Sequence, residues 1–271
     1  MYVTVGRMTD QSVDISWTPI GDETAWDLAV VPHGDPIDVN TTFYAMDSFY
    51  HVTGLTANTE YDVYVRANCG NEVSLWTAVE TFTTYCSAIS TIPYTENFDS
   101  YPATTAVASG VIPTCWTRNT NNTSPYPYIY STQHASGTGS LYFYATSAYH
   151  SLAATQMLDL SAYQSGELML SFKALKTSST SGYGRIQVGV MTDPADLSTF
   201  TLLKNISTND FPTLGAWADF HVVLPNHYTD PVFIAFYVPA TGTAYSYIDD
   251  VVLDYTPDCM SPTNLCVKNI T

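Results

Sequence analysis

The stretch Tyr247-Ile248-Asp249-Asp250-Val251-Val252-Leu253 places two adjacent carboxylates inside a run of aromatic, β-branched and aliphatic residues. This composition is typical of a β-strand, here one that closes an all-β domain. Successive strand residues point to opposite faces of a sheet, so we expect one carboxylate to face solvent and the other to face the edge of a sandwich. The buried carboxylate would need a cation, a proton or hydrogen-bond donors.

Short runs of strand-forming residues recur upstream of this stretch. In the second half of the chain, continuously apolar or alternating runs lie at residues 168–174, 185–190, 218–224 and 232–238. In the first third, alternating runs are separated by turn residues at intervals of roughly ten residues. No segment keeps a helical period for three turns. The chain is therefore predicted to be all-β and built from two-layer sandwiches.

The composition limits the class of protein. The 271 residues suffice for about two domains, and 45% of the residues are hydrophobic while 12% are charged. With 8 Lys and Arg against 25 Asp and Glu, the formal net charge is −17, which argues against a nucleic-acid partner. No apolar run of about 18 residues predicts a membrane span. The first residues lack the features of a signal peptide, so we expect a piece of a longer exported protein.

The chain has five cysteines and no C-x-x-C pair: Cys69, Cys86, Cys115, Cys259 and Cys266. Their wide spacing indicates an exported protein with one or two disulfides and a leftover thiol. The alternative is a set of unpaired thiols in a reducing cell.

Two motifs in residues 1–85 carry a family resemblance. Residues 12–17 form an alternating strand that ends in Trp17, and in residues 55–68 Leu55 precedes Tyr61, which opens a second alternating strand. Both motifs resemble those of the fibronectin type III domain. The resemblance implies a β-sandwich in which Tyr61 forms the tyrosine corner of that family. No Arg-Gly-Asp tripeptide is present, so integrin binding is not implied, and residues 86–92 are expected to be a linker.

Four short pieces recur in order in residues 93–257. They are Thr95-Glu96-Asn97-Phe98-Asp99, Ile112-Pro113-Thr114-Cys115-Trp116, Ser136-Gly137-Thr138-Gly139-Ser140-Leu141 and Ile248-Asp249-Asp250-Val251. This order resembles the galactose-binding-like jelly rolls: the cleaved-adhesin domains of bacterial surface proteins, the MAM domains and the jelly-roll carbohydrate-binding modules. Residues 258–271 resemble the first strand of a further fibronectin type III domain, so we expect a stub of a repeating array.

The jelly-roll resemblance implies a structural calcium site. In those modules the ligands are an acid after the first-strand Phe, carbonyl oxygens before the Ser-Leu strand and the first acid of the last strand. These roles fall on Asp99, on backbone oxygens around Thr138 and on Asp249, with Asp250 and Glu96 as further candidates. Such oxygen donors suit Ca²⁺. The alternative is that Asp99 and Asp249 cap turns or accept backbone N–H groups.

Aromatic residues suggest a ligand-binding face in the same domain. Tyr126, Tyr128 and Tyr130 alternate, and the run Leu141-Tyr142-Phe143-Tyr144, with Tyr149 and His150, adds more aromatic surface. Flat apolar rings with polar tips suit sugars, so these residues are candidates for glycan binding. The alternative is that strands use tyrosine for packing, in which case half of these rings are expected to point inward.

No catalytic motif is recognised. The six histidines never form H-E-x-x-H, no G-x-S-x-G is present, and His221 is expected to be a packed or surface residue. A hidden pair of carboxylates of the glycosidase type remains the alternative. We therefore expect a non-enzymatic chain. The MAM resemblance implies a disulfide between Cys86 and Cys115, favoured over one between Cys115 and Cys259.

Together these observations predict an extracellular or cell-surface module for adhesion or for glycan or protein recognition, within a larger bacterial protein. The expected fold is a fibronectin type III sandwich plus a β-jelly-roll sandwich, with calcium as a structural ion. The alternative function is a spacer or accessory module of a secreted protease or glycoside hydrolase. The fragment is expected to be monomeric.

Overall fold

The all-β prediction is confirmed by a computed structural model, which describes residues 1–124, 126–180 and 182–258, without the side chain of Val39. Four single turns of 3-10 helix occur between strands, at Val39–Thr41, Val107–Ser109, Leu197–Thr199 and Thr208–Asp210. None of these turns has the length or apolar composition to span a membrane. The predicted stub at 258–271 lies outside the described residues, apart from Asp258.

The first sandwich lies within residues 2–83 and has seven strands. They are β1 (Tyr2–Met8), β2 (Ser12–Thr18), β3 (Trp26–Pro32), β4 (Thr42–Ala45), β5 (Phe49–Thr53), β6 (Glu60–Ala67) and β7 (Glu80–Thr83). One sheet has the order β1-β2-β5 and the other β4-β3-β6-β7. Alternating residues of both sheets, such as Ile15 and Val63, are fully buried in a common core. The period-2 pattern therefore decides which side chains fill this core.

The predicted tyrosine corner is present in this sandwich. The backbone N–H of Thr56 donates to the hydroxyl oxygen of Tyr61 across 2.9 Å. The Tyr61 ring also stacks on Phe82 with 5.6 Å between ring centroids. The hydrogen bond ties the loop before β6 to β6 itself, as the motif predicts.

In the described part of the chain, the second sandwich has eleven strands. They are β8 (Tyr94–Glu96), β9 (Thr117–Asn119), β10 (Tyr128–Tyr130), β11 (Ser140–Ala145), β12 (Ser151–Ala154), β13 (Leu168–Leu175), β14 (Ile186–Met191), β15 (Thr201–Ile206), β16 (Trp217–Val223), β17 (Phe233–Val238) and β18 (Ala244–Tyr255). One sheet has the order β10-β11-β18-β13-β16, with β8 also paired to β18, and the other has the order β15-β14-β17-β12-β9. Their inner faces enclose one large apolar core.

The strand β18, which contains the opening stretch, is central to its sheet. Its first half pairs with β11 and its second half pairs with β8, while β13 runs along its other edge. Ile248, Val251 and Leu253 are fully buried in the core. The last strand of the second sandwich therefore pairs with its first strand, β8, as well as with β11 and β13.

The segment between the sandwiches packs against the second one. Cys86 forms a disulfide with Cys115, with 5.6 Å between their Cα atoms, so the favoured pairing is confirmed. Ile89 forms a parallel bridge with Leu158. Residues 86–92 are thus held on the jelly roll, which differs from the expected simple linker.

Candidate functional site

Tyrosine side chains cover one half of the outer face of the sheet that contains β18. The inward positions of β10 and β11 are filled by Ile129, Leu141 and Phe143, which are fully buried in the core. The tyrosines alternate with these residues and therefore point away from the core. In the run 141–144, Leu141 and Phe143 point inward and the two tyrosines point outward, so half of this run packs in the core, as the packing alternative expects. Tyr128 and Tyr130 both lie on the outer side, because Ile129 between them takes the inward position.

Strand register places these tyrosines in rows. Tyr128 on β10 is opposite Tyr142 on β11, and Tyr142 is opposite Tyr247 on β18. Tyr144 is opposite Tyr245 in the next row. Tyr126, Tyr130 and Tyr183 extend the set, and the name tyrosine face is used below for these eight residues: Tyr126, Tyr128, Tyr130, Tyr142, Tyr144, Tyr183, Tyr245 and Tyr247. The four ligand-binding candidates, Tyr128, Tyr130, Tyr142 and Tyr144, belong to it, whereas Tyr149 lies outside it.

The rings of the tyrosine face contact one another. Tyr142 and Tyr247 are stacked with centroids 4.8 Å apart, Tyr183 and Tyr245 are 4.7 Å apart, and Tyr126 lies 5.1 Å from Tyr144. These distances are typical of favourable aromatic pairs. The cluster is therefore held in place by its own packing.

Burial within this cluster raises the pKa values of Tyr128, Tyr142 and Tyr247. Tyr128 and Tyr247 are buried, whereas Tyr130, Tyr142 and Tyr144 are half-buried. Desolvation by burial raises the pKa of Tyr128 to about 12 and raises the pKa values of Tyr142 and Tyr247 further. A neutral phenol can both donate and accept a hydrogen bond. The half-buried rings thus present apolar edges and hydroxyl groups to solvent.

The sequence reasoning missed Tyr183, Tyr245 and Tyr247. The alternation Tyr245-Ser246-Tyr247 in β18 is a signal that could have placed two of them beside Tyr142 and Tyr144. Tyr183 reaches Tyr245 through a bridge between distant segments, which has no local sequence signal.

The other half of the same outer face holds a cleft with a volume of about 370 Å³. Lys173 lines this cleft, with its Nζ 3.3 Å from Asp250 Oδ2 and 3.6 Å from Asp219 Oδ1. Nearby, the Ser171 hydroxyl and the Nδ1 atom of His221 are 2.9 Å apart on neighbouring strands. The positive charge of Lys173 is therefore balanced by carboxylates.

The two acids of β18 lie on the same side of the sheet, contrary to the prediction. Asp250 adopts a left-handed backbone conformation with φ 48°. The register with β13 shifts, because Ser171 pairs with Val252 while Lys173 pairs with Asp249. Three residue steps along β18 are therefore opposite two along β13. This β-bulge adds a residue and changes the alternation. Asp249 then accepts from the N–H of Ser136, and Asp250 accepts from the Ser136 hydroxyl.

Two of the predicted metal ligands converge on one glycine-containing loop. Asp249 Oδ2 accepts from the N–H of Ala135 at 2.6 Å. Asp99 Oδ1 accepts from the N–H groups of Thr138 at 2.5 Å and Gly139 at 3.1 Å. Residues distant in sequence thus meet at the loop between β10 and β11. The backbone contact of Thr138 is its N–H group, whereas the sequence prediction used carbonyl oxygens around Thr138.

The remaining predicted ligands have other partners. Glu96 Oε1 accepts from the N–H of Phe98 at 2.7 Å, and burial raises the pKa of Glu96. Asp250 pairs with Lys173. Within the described residues, no group of three or more His, Cys, Asp and Glu side chains is arranged to hold a metal ion. The hydrogen bonds of Asp99 and Asp249 are those that the alternative interpretation predicts.

Comparison with known protein families finds a match in the first sandwich. Residues 2–83 match the family model of the fibronectin type III domain. The first sandwich is thus a fibronectin type III domain, and it is followed by a jelly-roll sandwich. A comparison with curated protein sequences finds no match.

Three solved structures illustrate what the chain is similar to. The K1 cleaved adhesin domain of Lys-gingipain from Porphyromonas gingivalis W83 is 16% identical, covers 62% of this chain and 100% of that domain, and has a TM-score of 0.45. The N-terminal CBM22-1–CBM22-2 tandem domain of Xyn10C from Paenibacillus barcinonensis is 15% identical over 94% of this chain and 86% of that one, with a TM-score of 0.37. TmCBM61 in complex with β-1,4-galactotriose is 14% identical over 53% and 90%, with a TM-score of 0.37.

Proposed function

We propose that the chain is a non-catalytic recognition module that binds glycans through the tyrosine face. The observation that carries this proposal is the convergence of eight tyrosine rings on one outer face of the jelly roll. A soluble domain seldom directs so many aromatic rings away from its core without a partner.

Sugars match the chemistry of this face. A pyranose ring presents C–H groups on one side, which pack on an aromatic ring, and hydroxyl groups around its edge. The phenol hydroxyls of Tyr130, Tyr142 and Tyr144 can both donate to and accept from those sugar hydroxyls. The rings are also held by mutual packing, so little side-chain entropy is lost on binding.

The module is proposed to act outside the cell, as part of a larger surface or secreted protein. The Cys86–Cys115 disulfide supports an oxidising environment. The proposed domain limits are 1–85 for the fibronectin type III domain and 93–257 for the jelly roll. Two alternatives are an adhesion role toward an extracellular protein and a spacer or accessory role beside a protease or glycoside hydrolase. The binding test below distinguishes glycan binding from both.

A glycan array followed by calorimetry tests the proposal. Replacing Tyr130 and Tyr144 together by Ala removes two half-buried rings and is expected to weaken binding about tenfold or more. The matched control is Tyr149→Ala, because Tyr149 is 40% exposed and lies outside the tyrosine face. The absence of glycan binding by the folded wild-type chain would favour the spacer function.

We also propose a structural calcium ion at the loop between β10 and β11. The support is that Asp99 and Asp249, which are 150 positions apart in sequence, meet at this loop and supply the hard oxygen donors that Ca²⁺ prefers. Binding would require loop carbonyl oxygens to replace the N–H donors that these carboxylates now have. The cation would then fasten the first and last strands of the jelly roll.

Thermal melting with calcium and with chelator tests this second proposal. Millimolar calcium is expected to raise the melting temperature of the wild type, because a ligand that binds the folded state stabilises it. Asp249→Asn is expected to lose this increase, whereas Asp254→Asn, an exposed acid on the same strand, should keep it. Identical wild-type melting curves in calcium and in chelator would contradict the proposal.

A further inference from the structure

A cleft lined by aromatic and charged residues lies on the fibronectin type III domain, in a different sandwich from the tyrosine face. It is on the outer face of the sheet β4-β3-β6-β7 and has a volume of about 440 Å³. Strand register aligns Tyr44, Asp27 and Arg66 in one row across β4, β3 and β6. Trp76, from the segment between β6 and β7, covers one end of that row. We name this site the Arg66 cleft.

The guanidinium group of Arg66 is fixed in orientation. Its Nε donates to Asp27 Oδ2 at 2.8 Å, and its Cζ lies 4.5 Å from the centroid of the Trp76 ring. Asp27 is buried, and its other oxygen accepts from Asn68 Nδ2 at 2.7 Å. In the part of the chain that the structure describes, the Nη atoms of Arg66 have no protein acceptor. These donors are therefore oriented and available to a ligand.

The rim of the cleft supplies an aromatic ring and acceptors. Tyr44 is 58% exposed, although it lies at an otherwise ordinary strand position. Thr42 contributes a hydroxyl, and Asp38 contributes a carboxylate of which Oδ1 caps a 3-10 turn. The volume is in the range of small-ligand sites. Donors, acceptors and aromatic surface therefore meet in one place.

We propose that the Arg66 cleft is a second site for neutral glycans, which binds a sugar residue between Tyr44 and the Arg66–Trp76 stack. The charge of Arg66 is balanced by Asp27, and Asp38 adds a negative charge at the rim, so an anionic ligand is disfavoured. An extended proline-rich peptide offers mainly carbonyl acceptors and few donors for Asp38 Oδ2, the carboxylate oxygen that does not cap the 3-10 turn. A sugar hydroxyl edge supplies both donors and acceptors.

Two sites on one chain have a consequence for affinity. A polysaccharide that reaches both the Arg66 cleft and the tyrosine face would bind with an effective concentration set by the intervening chain. Binding to immobilised polysaccharide would then exceed binding to a short oligosaccharide. This proposal depends on the cleft itself and does not require the tyrosine face to bind.

Calorimetry on the full chain with a panel of neutral oligosaccharides tests the cleft. The background variant carries Tyr130→Ala and Tyr144→Ala, so that binding at the tyrosine face is weakened. Binding is expected to persist in this background and to weaken at least about fivefold when Tyr44→Ala is added. Leu75→Ala is the matched control, because Leu75 is 92% exposed next to Trp76 but does not line the cleft. Tyr44 is mostly exposed, so its replacement should leave the fold intact, which circular dichroism and melting check.

The outcomes separate the two proposed sites. Loss of all binding in the background variant, with wild-type binding present, overturns the second site and leaves the tyrosine face in place. Binding that depends on Tyr44 but not on Tyr130 and Tyr144 supports the cleft and overturns the tyrosine face. Equal effects of Tyr44→Ala and Leu75→Ala, or no glycan binding by the wild type, overturn the cleft.

Discussion

The carboxylate of Asp249 is fully buried and accepts hydrogen bonds from three backbone N–H groups. They belong to Ala135 at 2.6 Å, Ser136 at 3.2 Å and Asp250 at 2.7 Å. Burial raises the pKa of Asp249 from 3.8 to about 6, although these donors act in the opposite direction. Desolvation of the charged form thus outweighs the hydrogen bonds.

This raised pKa predicts a pH-dependent contribution to stability in the presence of chelator. Because the pKa of Asp249 is higher in the folded chain than in the unfolded chain, folding takes up a proton between about pH 4 and pH 6. The stabilisation that protonated Asp249 gives to the folded chain is fully present below about pH 4 and is lost as the pH rises through about 6. Relative to Asp249→Asn, the wild type should therefore lose about 3 kcal/mol of unfolding free energy when the pH rises from 4 to 7. Urea unfolding at each pH measures it.

Asp254→Asn is the control for this pH experiment. Asp254 is an exposed acid on the same strand, so this variant makes the same chemical change outside the buried site and shows what that change alone does to the unfolding free energy. A difference for Asp249→Asn that stays constant from pH 4 to pH 7 would contradict the assignment of a raised pKa to Asp249.

Gly137 gives a second test at the residue scale. Its backbone has φ 52°, and a Cβ atom at this position would collide with the carboxylate of Asp99. Gly137→Ala is therefore expected to cost about 2 kcal/mol or more, through strain and through displacement of Asp99 from the N–H groups of the loop. Gly166→Ala is the matched control, since Gly166 has φ 79° and no atom near its Cβ position. Equal losses of unfolding free energy in the two variants would show that the collision is unimportant.

The bulge at Asp250 explains why the arrangement of the two acids could not be predicted from sequence. The period-2 rule assigned Asp249 and Asp250 to opposite faces, and it holds for the residues before them in β18. A single left-handed residue changes the alternation, and an Asp is compatible with that conformation as well as with an extended one. The choice is made by pairing with β13 and by contacts with Ser136, which are tertiary interactions.

At the scale of elements, alternation predicted most of what matters for the tyrosine face. Tyr128 and Tyr130, and likewise Tyr142 and Tyr144, are separated by one apolar residue, which is enough to place each pair on one side of its strand. The sequence did not reveal which side faces the core. That depends on Ile129 and on the second sheet, which covers the face formed by the apolar residues.

The disulfide allows a prediction at the same scale. Cys86 and Cys115 are 29 residues apart and join the segment before β8 to the segment before β9. Closing a loop of this length restricts the unfolded chain, so the double variant Cys86→Ser with Cys115→Ser should lose roughly 3 kcal/mol of unfolding free energy. Denaturant unfolding of the jelly roll measures the loss.

Cys69 supplies the control for the disulfide experiment. It is exposed and has no disulfide partner among the described residues, so Cys69→Ser should leave the stability unchanged. Reductant should lower the stability of the wild type to that of the double variant. Mass mapping should first show that the reductant has broken the disulfide of the wild type. If the stability of this reduced wild type is unchanged, the prediction is contradicted.

At the scale of the whole molecule, Tyr85 connects the two sandwiches. Its backbone N–H donates to the carbonyl of Thr9 at 3.2 Å, and its carbonyl accepts from the N–H of Asn58 at 2.9 Å, both in the fibronectin type III domain. Its ring packs against Phe233 of the jelly roll at 5.1 Å, and its hydroxyl donates to Asp193 at 3.3 Å. Tyr85 therefore contacts both sandwiches, whereas the sequence predicted it to be the last residue of the first domain.

Tyr85→Ala should uncouple the two sandwiches. The variant keeps the backbone bonds to the first domain but loses the ring that packs on Phe233, a loss of about 2 kcal/mol of contact energy for a half-buried aromatic side chain. We expect a larger radius of gyration by small-angle X-ray scattering and two separated thermal transitions in place of coupled ones. Tyr85→Phe retains the ring and loses the hydrogen bond to Asp193, so it should stay close to the wild type in both measurements. If Tyr85→Ala scatters and melts like Tyr85→Phe, the ring does not hold the sandwiches together. The Arg66 cleft and the tyrosine face would then keep no fixed separation, and a polysaccharide bound at both would lose affinity to the flexibility between them.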